Sequence, residues 1–254
     1  MIYVGIDDTD TLDDPGTNQL ARHLVRELAG QYRGRMIVRH QLLEDPRVPC
    51  TKKNGCASIL FEPVSASDAT SKDLSPPLGG EGPGEGGTAT LINALRDLII
   101  PWCPKASDPG LCVASQVPES VINWGLRCKR ELVTQAEAHN IAIDAGIHLE
   151  GLGGTEDGVI GALAAIRLMA TKNDGRVVHF GSAAQDWYDV TGCLEIEDIL
   201  NRGVEVVRTI NSEELVTRGT VDVGKRLRPN YRHGQVVLYV TPRDAATWEA
   251  ARVT

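Results

Sequence analysis

The sequence predicts an α/β fold, and three observations predict it. The chain opens on Ile2-Tyr3-Val4-Gly5-Ile6, a short apolar run rich in β-branched and aromatic residues that reads as a buried strand. Helix and strand patterns then alternate as far as Phe180. After Gly181 the helices shorten and the hydrophobic period approaches two, which puts a soft boundary near residues 183–188.

Each element has its own warrant. Leu20, Leu24 and Leu28, with Ala21 and Val25 beside them, form one helical face over residues 18–29, and Gly30 suits its C-cap. Residues 35–43 and 56–61 read as the second and third strands. Leu91, Leu95 and Leu98 predict a helix over 90–100, followed by a short strand at 111–114. Residues 118–140 are helical in pattern, 158–168 form a helix of small residues, and 176–180 form a strand. Beyond the boundary, 204–210, 215–223 and 235–240 read as strands and 245–252 as a terminal helix. The Pro- and Gly-rich stretch within residues 65–88 cannot bury a face, so it is expected to be a disordered surface insertion.

Composition narrows the function classes. At 254 residues, 42% hydrophobic and 24% charged, the chain can build a real core, and with aromatics at 4% that core must be aliphatic. A net charge of -8 argues against a broad nucleic-acid-binding face. The six cysteines make no C-x-x-C pair, so a zinc ribbon is not expected. No basic leader precedes an apolar core, and no run approaches the roughly 18 apolar residues of a membrane span. The expected location is therefore the cytoplasm, with no membrane partner.

The chemistry is concentrated at the end of the first strand. Asp7, Asp8 and Asp10 repel one another there, and a hard cation such as Mg²⁺ is the usual compensation. Thr17 stands where the next helix needs its N-cap, and free N–H groups at that end suit a phosphate. Two further stretches supply candidate walls. The loop Arg47-Val48-Pro49-Cys50-Thr51-Lys52-Lys53-Asn54 offers Lys52 and Lys53 to phosphates and Asn54 to a base, ribose or phosphate. The turn Gly151-Leu152-Gly153-Gly154-Thr155-Glu156-Asp157-Gly158 precedes a helix and could cradle an anion through Gly153, Gly154 and Gly158, with Asp157 as a further metal ligand. Close helix packing explains those glycines equally well. A competing reading is a phosphatase of the Asp-x-Asp-x-Thr type, but Asp8-Thr9-Asp10-Thr11-Leu12 has leucine where the threonine belongs. The six histidines are scattered without metal-ligand spacing.

Taken together, these stretches resemble the archaeal tRNA(Ile2) 2-agmatinylcytidine synthetases. Gly5-Ile6-Asp7-Asp8-Thr9-Asp10 with Gly16-Thr17 is similar to the family's opening. Val48-Pro49-Cys50-Thr51-Lys52-Lys53-Asn54, Asp108-Pro109-Gly110 and the stretch from Glu156 to Ile166 are similar to three later motifs, in the same order. The resemblance implies a mixed-sheet, kinase-like domain over residues 1–185 beside a smaller ferredoxin-like domain over 186–254. It implies ATP and Mg²⁺ as cofactors, metal held by Asp7, Asp8 and Asp10, and a Thr17 that itself accepts phosphate. In the family the phosphorylated group is the C2 carbonyl of a wobble cytidine, which agmatine then attacks. The departures are Lys52-Lys53 for the family's Arg-Gly, Asp157 for an arginine, and no counterpart of the OB-fold and zinc ribbon that grip tRNA. The expectation is thus an ATP- and Mg²⁺-dependent phosphoryl-transfer enzyme acting on RNA or a small molecule, with a small-molecule amine as partner and a homodimer as candidate assembly. The alternative is a non-catalytic nucleotide-binding regulator.

Overall fold

Strand β1 (Ile2–Asp7) lies at the centre of the first half of a large sheet, and everything that positions its acidic end is built around it. In chain order it is followed by α1 (Thr17–Glu27), β2 (Tyr32–Arg39), β3 (Ala57–Pro63), α2 (Glu85–Trp102), β4 (Gly110–Ala114), α3 (Ile122–Arg127) and α4 (Gln135–Asp144). Next come β5 (His148–Gly151), α5 (Gly158–Ala170), β6 (Arg176–Phe180), β7 (Cys193–Glu195) and α6 (Ile196–Asn201). The chain ends with β8 (Val206–Thr209), β9 (Thr220–Asp222), β10 (Asn230–Arg232), β11 (Gln235–Pro242) and β12 (Thr247–Ala250). The structure is a computed structural model and describes residues 1–51, 53–65, 85–181, 187–244 and 246–253.

The fold is α+β with a mixed sheet. The strand order is β5-β4-β1-β3-β2-β6-β10-β11-β12-β9-β7, with β8 paired to β11. Antiparallel pairing runs unbroken from β5 to β12, and the parallel pairs are β8 with β11 and β9 with β12. β1 is paired on both edges, with Val4 opposite Ile59 of β3 and Val113 of β4. The sheet continues through the link between β6 and β10, so the two halves share hydrogen bonds.

Helices cover both faces of the first half. One core joins Leu20, Ala21 and Leu24 of α1 and Leu91, Leu95 and Ile99 of α2 to Val4, Ile6, Ile59 and Phe61. On the other face α5 carries Val159, Ala162, Leu163, Ala165 and Ile166 against Cys112 and Ala114, with Trp124 of α3 and Ala138 of α4 behind it. α5 is apolar all round because it is sandwiched between sheet and helices. Its small residues let it lie directly on the strands: a Cβ on Gly5 would come within 2.0 Å of the Ala162 carbonyl oxygen. A third core joins Met36 and Val38 of β2 to Val221, Val236, Leu238 and Val240 of the later strands.

Several expectations are corrected. Residues 118–140 are not one helix. α3 and α4 are separated by a loop, because Thr134 forms a capping box with Glu137 and starts a new helix. Residues 85–88, expected in the insertion, open α2, while 66–84 lie outside the described residues. The terminal segment 245–252 is not helical. Residues 247–250 form β12, whose backbone is claimed by β11 on one side and β9 on the other.

Candidate active site

β1 delivers its last residue, Asp7, to the mouth of a cavity of 430 Å³. The chain then turns sharply through Asp8, whose φ of 51° lies in the left-handed region that Asp tolerates better than most residues. Asp7, Asp8, Asp10 and Thr17 all line this cavity, as do Lys53 and Asn54 of the basic loop. Three acids join them from elsewhere: Asp108 before β4, Glu131 between α3 and α4, and Asp157 before α5. Apolar lining comes from Leu42, Leu43, Val48, Leu132 and Ile160.

Electrostatics follow from this crowding. Burial pushes the Asp7 carboxyl up to about 7, and the charges of Asp8 and Asp10 add to the effect against a counter-pull from Arg39. Burial also pushes Asp8 up to about 6, with the Asp108, Asp10 and Asp157 carboxylates contributing. Near neutral pH the site therefore holds ionised carboxylates at a cost that a cation would relieve. Asp7 also sits on the first turns of α5: a Cβ on Gly161 would meet Asp7 Oδ2 at 1.7 Å, so only glycine leaves room for the carboxylate there. The dipole of α5 then offsets part of the charge.

α1 begins at Thr17, one position earlier than expected, so Gly16 rather than Thr17 is the N-cap, with no side-chain bond. This frees the Thr17 hydroxyl from capping. It accepts from Thr9 Oγ1 at 3.1 Å and donates to Asp10 Oδ1 at 3.5 Å. Thr9 is fully buried, so a fixed hydroxyl orients a half-buried one beside an acid.

The basic loop is internally paired. Lys53 Nζ lies 3.0 Å from Glu44 Oε1, and Arg47 makes a two-pronged contact with Asp45. These pairs are exposed and worth little, so either cation can exchange partners at small cost. Asn54 Nδ2 donates to the Leu43 carbonyl at 2.8 Å and so closes the neck of the loop. Lys52 lies outside the described residues.

The glycine turn already holds an anion, and that anion is Asp108. Its Oδ1 accepts from Thr155 N at 2.5 Å, and its carbonyl accepts from Gly158 N at 3.0 Å. Gly154, with φ +60°, leaves space for that carboxylate: a Cβ there would stand 1.6 Å from Asp108 Oδ1. Gly158 is pressed between the Asp108 carbonyl and Gly110 N, at 2.4 and 2.5 Å from a would-be Cβ. Gly153, Gly154 and Gly158 thus shape the turn, and the residues of this segment that reach the cavity are Thr155, Asp157, Ile160 and Gly161. In the sequence Asp108 stands out only within the Asp108-Pro109-Gly110 motif and not as a site residue; its place beside Asp8 comes from the pairing of β1 with β4.

The donors fit a hard cation in chemistry. Among the described residues, no three carboxylate, imidazole or thiol groups already converge as a metal cage. Mg²⁺ is usually held by one or two carboxylates while substrate phosphates and water complete its shell. Asp7, Asp8 and Asp10 could supply those carboxylates. No helix among the described residues is long and apolar enough to cross a membrane.

Comparison with known proteins agrees with this arrangement of motifs. No family model matches the chain. The chain is 26% identical over 176 residues to the tRNA(Ile2) 2-agmatinylcytidine synthetase of Pyrococcus horikoshii, a match that takes in 65% of this chain and 35% of that protein. By fold it is similar to a tRNA fluorescent labeling enzyme (TM-score 0.51, 20% identity) and to the synthetase in its complex with tRNA(Ile2) and ATP (TM-score 0.50, 19% identity). Each of these covers 65% of this chain, and the chain spans little more than a third of their lengths, 35% and 36%. Over that part of its length the chain is a relative of tRNA(Ile2) 2-agmatinylcytidine synthetase, similar to it by sequence and by fold.

Proposed function

We propose that the protein is an ATP- and Mg²⁺-dependent phosphoryl-transfer enzyme. The observation that carries this reading is the meeting of Asp7, Asp8, Asp10, Thr17 and the Lys53 loop on one cavity that also has an apolar wall. Phosphoryl transfer needs positioning and neutralisation of charge more than covalent help from the protein. In this reading Asp7, Asp8 and Asp10 hold the cation, which screens the phosphates when bound. Lys53 gives up Glu44 for phosphate oxygens, and Lys52, its neighbour in sequence, is assigned to the same phosphates. Asn54 keeps the loop closed over the nucleotide, and the apolar wall takes the base. Gly153, Gly154 and Gly158 act through the turn that presents Asp108 and Asp157. Thr17, oriented by Thr9 and Asp10, stands at the terminal phosphate as acceptor or positioner.

The relative has been seen with tRNA(Ile2), with ATP, and with agmatine beside an ATP analogue. For this chain we carry over ATP as the phosphoryl donor and a cytidine-like carbonyl, in RNA or in a small molecule, as the acceptor, with an amine as the group that displaces phosphate. Residues 1–185 would hold this chemistry and residues 186–254 a smaller second unit. The test is ATP turnover by the purified protein with Mg²⁺, agmatine and a tRNA(Ile2) transcript or free cytidine. The reading requires formation of AMP or ADP above background with at least one acceptor. No turnover with any acceptor, together with equal behaviour of Asp8→Asn, would remove it.

A further inference from the structure

The basic loop is carried on an extension of the sheet. The antiparallel pairing of β2 and β3 continues past their ends, with His40 N donating to the Cys56 carbonyl at 2.9 Å and Leu42 N to the Asn54 carbonyl at 3.0 Å. The loop therefore sits at the tip of a hairpin whose neck is residues 41–43 and 54–55. One run of side-chain bonds ties this neck to the sheet. Arg39, the last residue of β2, donates from both Nη1 and Nη2 to Gln41 Oε1, each at 3.1 Å. Gln41 Nε2 donates in turn to the Asn54 carbonyl at 2.5 Å and to the Leu42 carbonyl at 3.3 Å. A guanidinium only donates and a carbonyl only accepts, so the amide fits one way round. Gly55 completes the contact: a Cβ there would stand 2.5 Å from Arg39 Nη2 and 2.7 Å from the His40 carbonyl oxygen.

Asn54 and Gly55 line the acidic cavity; Arg39 and Gln41 stand behind them. Arg39 is half-buried, and it gives both prongs of its fork to a neutral amide. Its charge also reaches Asp7, whose carboxyl it pulls down against the effect of burial. One side chain thus acts on the acidic end of β1 and on the neck of the basic loop. The exposed pairs at the tip, Lys53 with Glu44 and Arg47 with Asp45, exchange too cheaply to fix where the tip points. The neck is what remains to fix it. We propose that Arg39 and Gln41 are positioning residues: they hold the hairpin neck so that Lys53 and Asn54 stay on the cavity of Asp7, Asp8 and Asp10. What the loop grips rests on the phosphoryl-transfer reading, whereas the tie is present without any ligand.

The experiment uses two readouts on the full chain. Arg47 and Lys53 are exposed trypsin sites at the tip, so brief digestion without ATP, followed by mass spectrometry, reads how often the loop opens. Cleavage after Arg47 or Lys53 should be about fivefold faster or more in Arg39→Met and in Gln41→Leu, with cleavage elsewhere unchanged. Gln41→Leu keeps the Arg39 charge and covers the case in which Arg39→Met does not fold. Arg39→Lys keeps the charge and loses the fork, so its loop should also be cleaved faster than that of wild type. The second readout is ATP turnover: the same variants should raise KM for ATP about tenfold and leave kcat within about twofold. A pair that only stabilised the fold would lower the melting temperature and speed cleavage at every site alike. Faster loop cleavage in a protein that turns over no ATP keeps the positioning role and removes the phosphoryl-transfer reading. The proposal falls if Arg39→Met and Gln41→Leu are cleaved at the loop as wild type is, if all sites speed up together, or if KM is unchanged in an active variant whose loop has opened.

Discussion

Thr17 Oγ1 donates to Asp10 Oδ1 at 3.5 Å while accepting from the buried Thr9 at 3.1 Å. The hydroxyl is therefore oriented by one partner that cannot move and one that faces the cavity. Thr17→Val keeps the shape and removes both bonds. ATP turnover in that variant should fall about 100-fold or more, the scale of misplaced reacting groups, with little change in melting temperature. Thr17→Ser should recover a large part of the rate.

The raised carboxyls make the apo protein pH-sensitive. Asp7 is pushed up to about 7 and Asp8 to about 6, so the fold favours their protonated forms. Such a contribution is full below the unfolded carboxylate range and is lost as pH rises through the folded values. His40 works in the opposite sense, since burial lowers it and its contribution is lost as pH falls below its ordinary value near 6.5. Between about pH 6.5 and pH 8 the loss from Asp7 dominates and amounts to roughly 1 kcal/mol. Thermal melts in EDTA should show stability declining across that window. Asp7→Asn should flatten the decline, and Mg²⁺ with ATP should reverse it in the wild type only.

The contact between α5 and β1 sets where Asp7 sits. Gly5→Ala brings a methyl to 2.0 Å from the Ala162 carbonyl, so helix and strand must part. Denaturant unfolding should show a loss of about 3 kcal/mol. Gly161→Ala instead strikes the Asp7 carboxylate itself, at 1.7 Å. It should weaken Mg²⁺-dependent nucleotide binding at least as severely as it weakens the fold.

His40 ties three segments together inside the sheet. Its Nδ1 lies 2.9 Å from Asp174 Oδ1 and its Nε2 2.8 Å from Ser58 Oγ, and Lys129 pairs with the other oxygen of Asp174. His40 and Ser58 are fully buried, which denies the trio any substrate and leaves it a structural role. His40→Leu leaves Asp174 and Ser58 without the ring and should cost about 2 kcal/mol or more in unfolding experiments, with kcat for ATP turnover nearly unchanged.

The acidic end of β1 was legible because its signal is local: an apolar run that stops abruptly in carboxylates. The helix that follows was legible from its leucine spacing, although Gly16 rather than Thr17 caps it. Asp108 was not legible as a site residue, because only the register of β1 against β4 brings it to Asp8. The glycines of the 151–158 turn fit an anion cradle and close packing equally well from sequence; in the structure they leave room for Asp108, whose carboxylate accepts from Thr155 N. The last strand escaped because Ala246, Glu249, Ala250, Ala251 and Arg252 are good helix formers, and pairing with β11 and β9 overrides that local preference. Short strands such as β7 and β10, three residues each, leave too little pattern to read.

In the proposed reading the Asp7–Asp8–Asp10 cavity binds ATP through a divalent cation. The most direct measurement is calorimetric titration of ATP into wild type and Asp8→Asn, with and without Mg²⁺. Wild type should bind in a way that depends on Mg²⁺, and binding should weaken about tenfold or more in Asp8→Asn. Absence of ATP binding by wild type in Mg²⁺, or binding of equal strength by the variant, would contradict it.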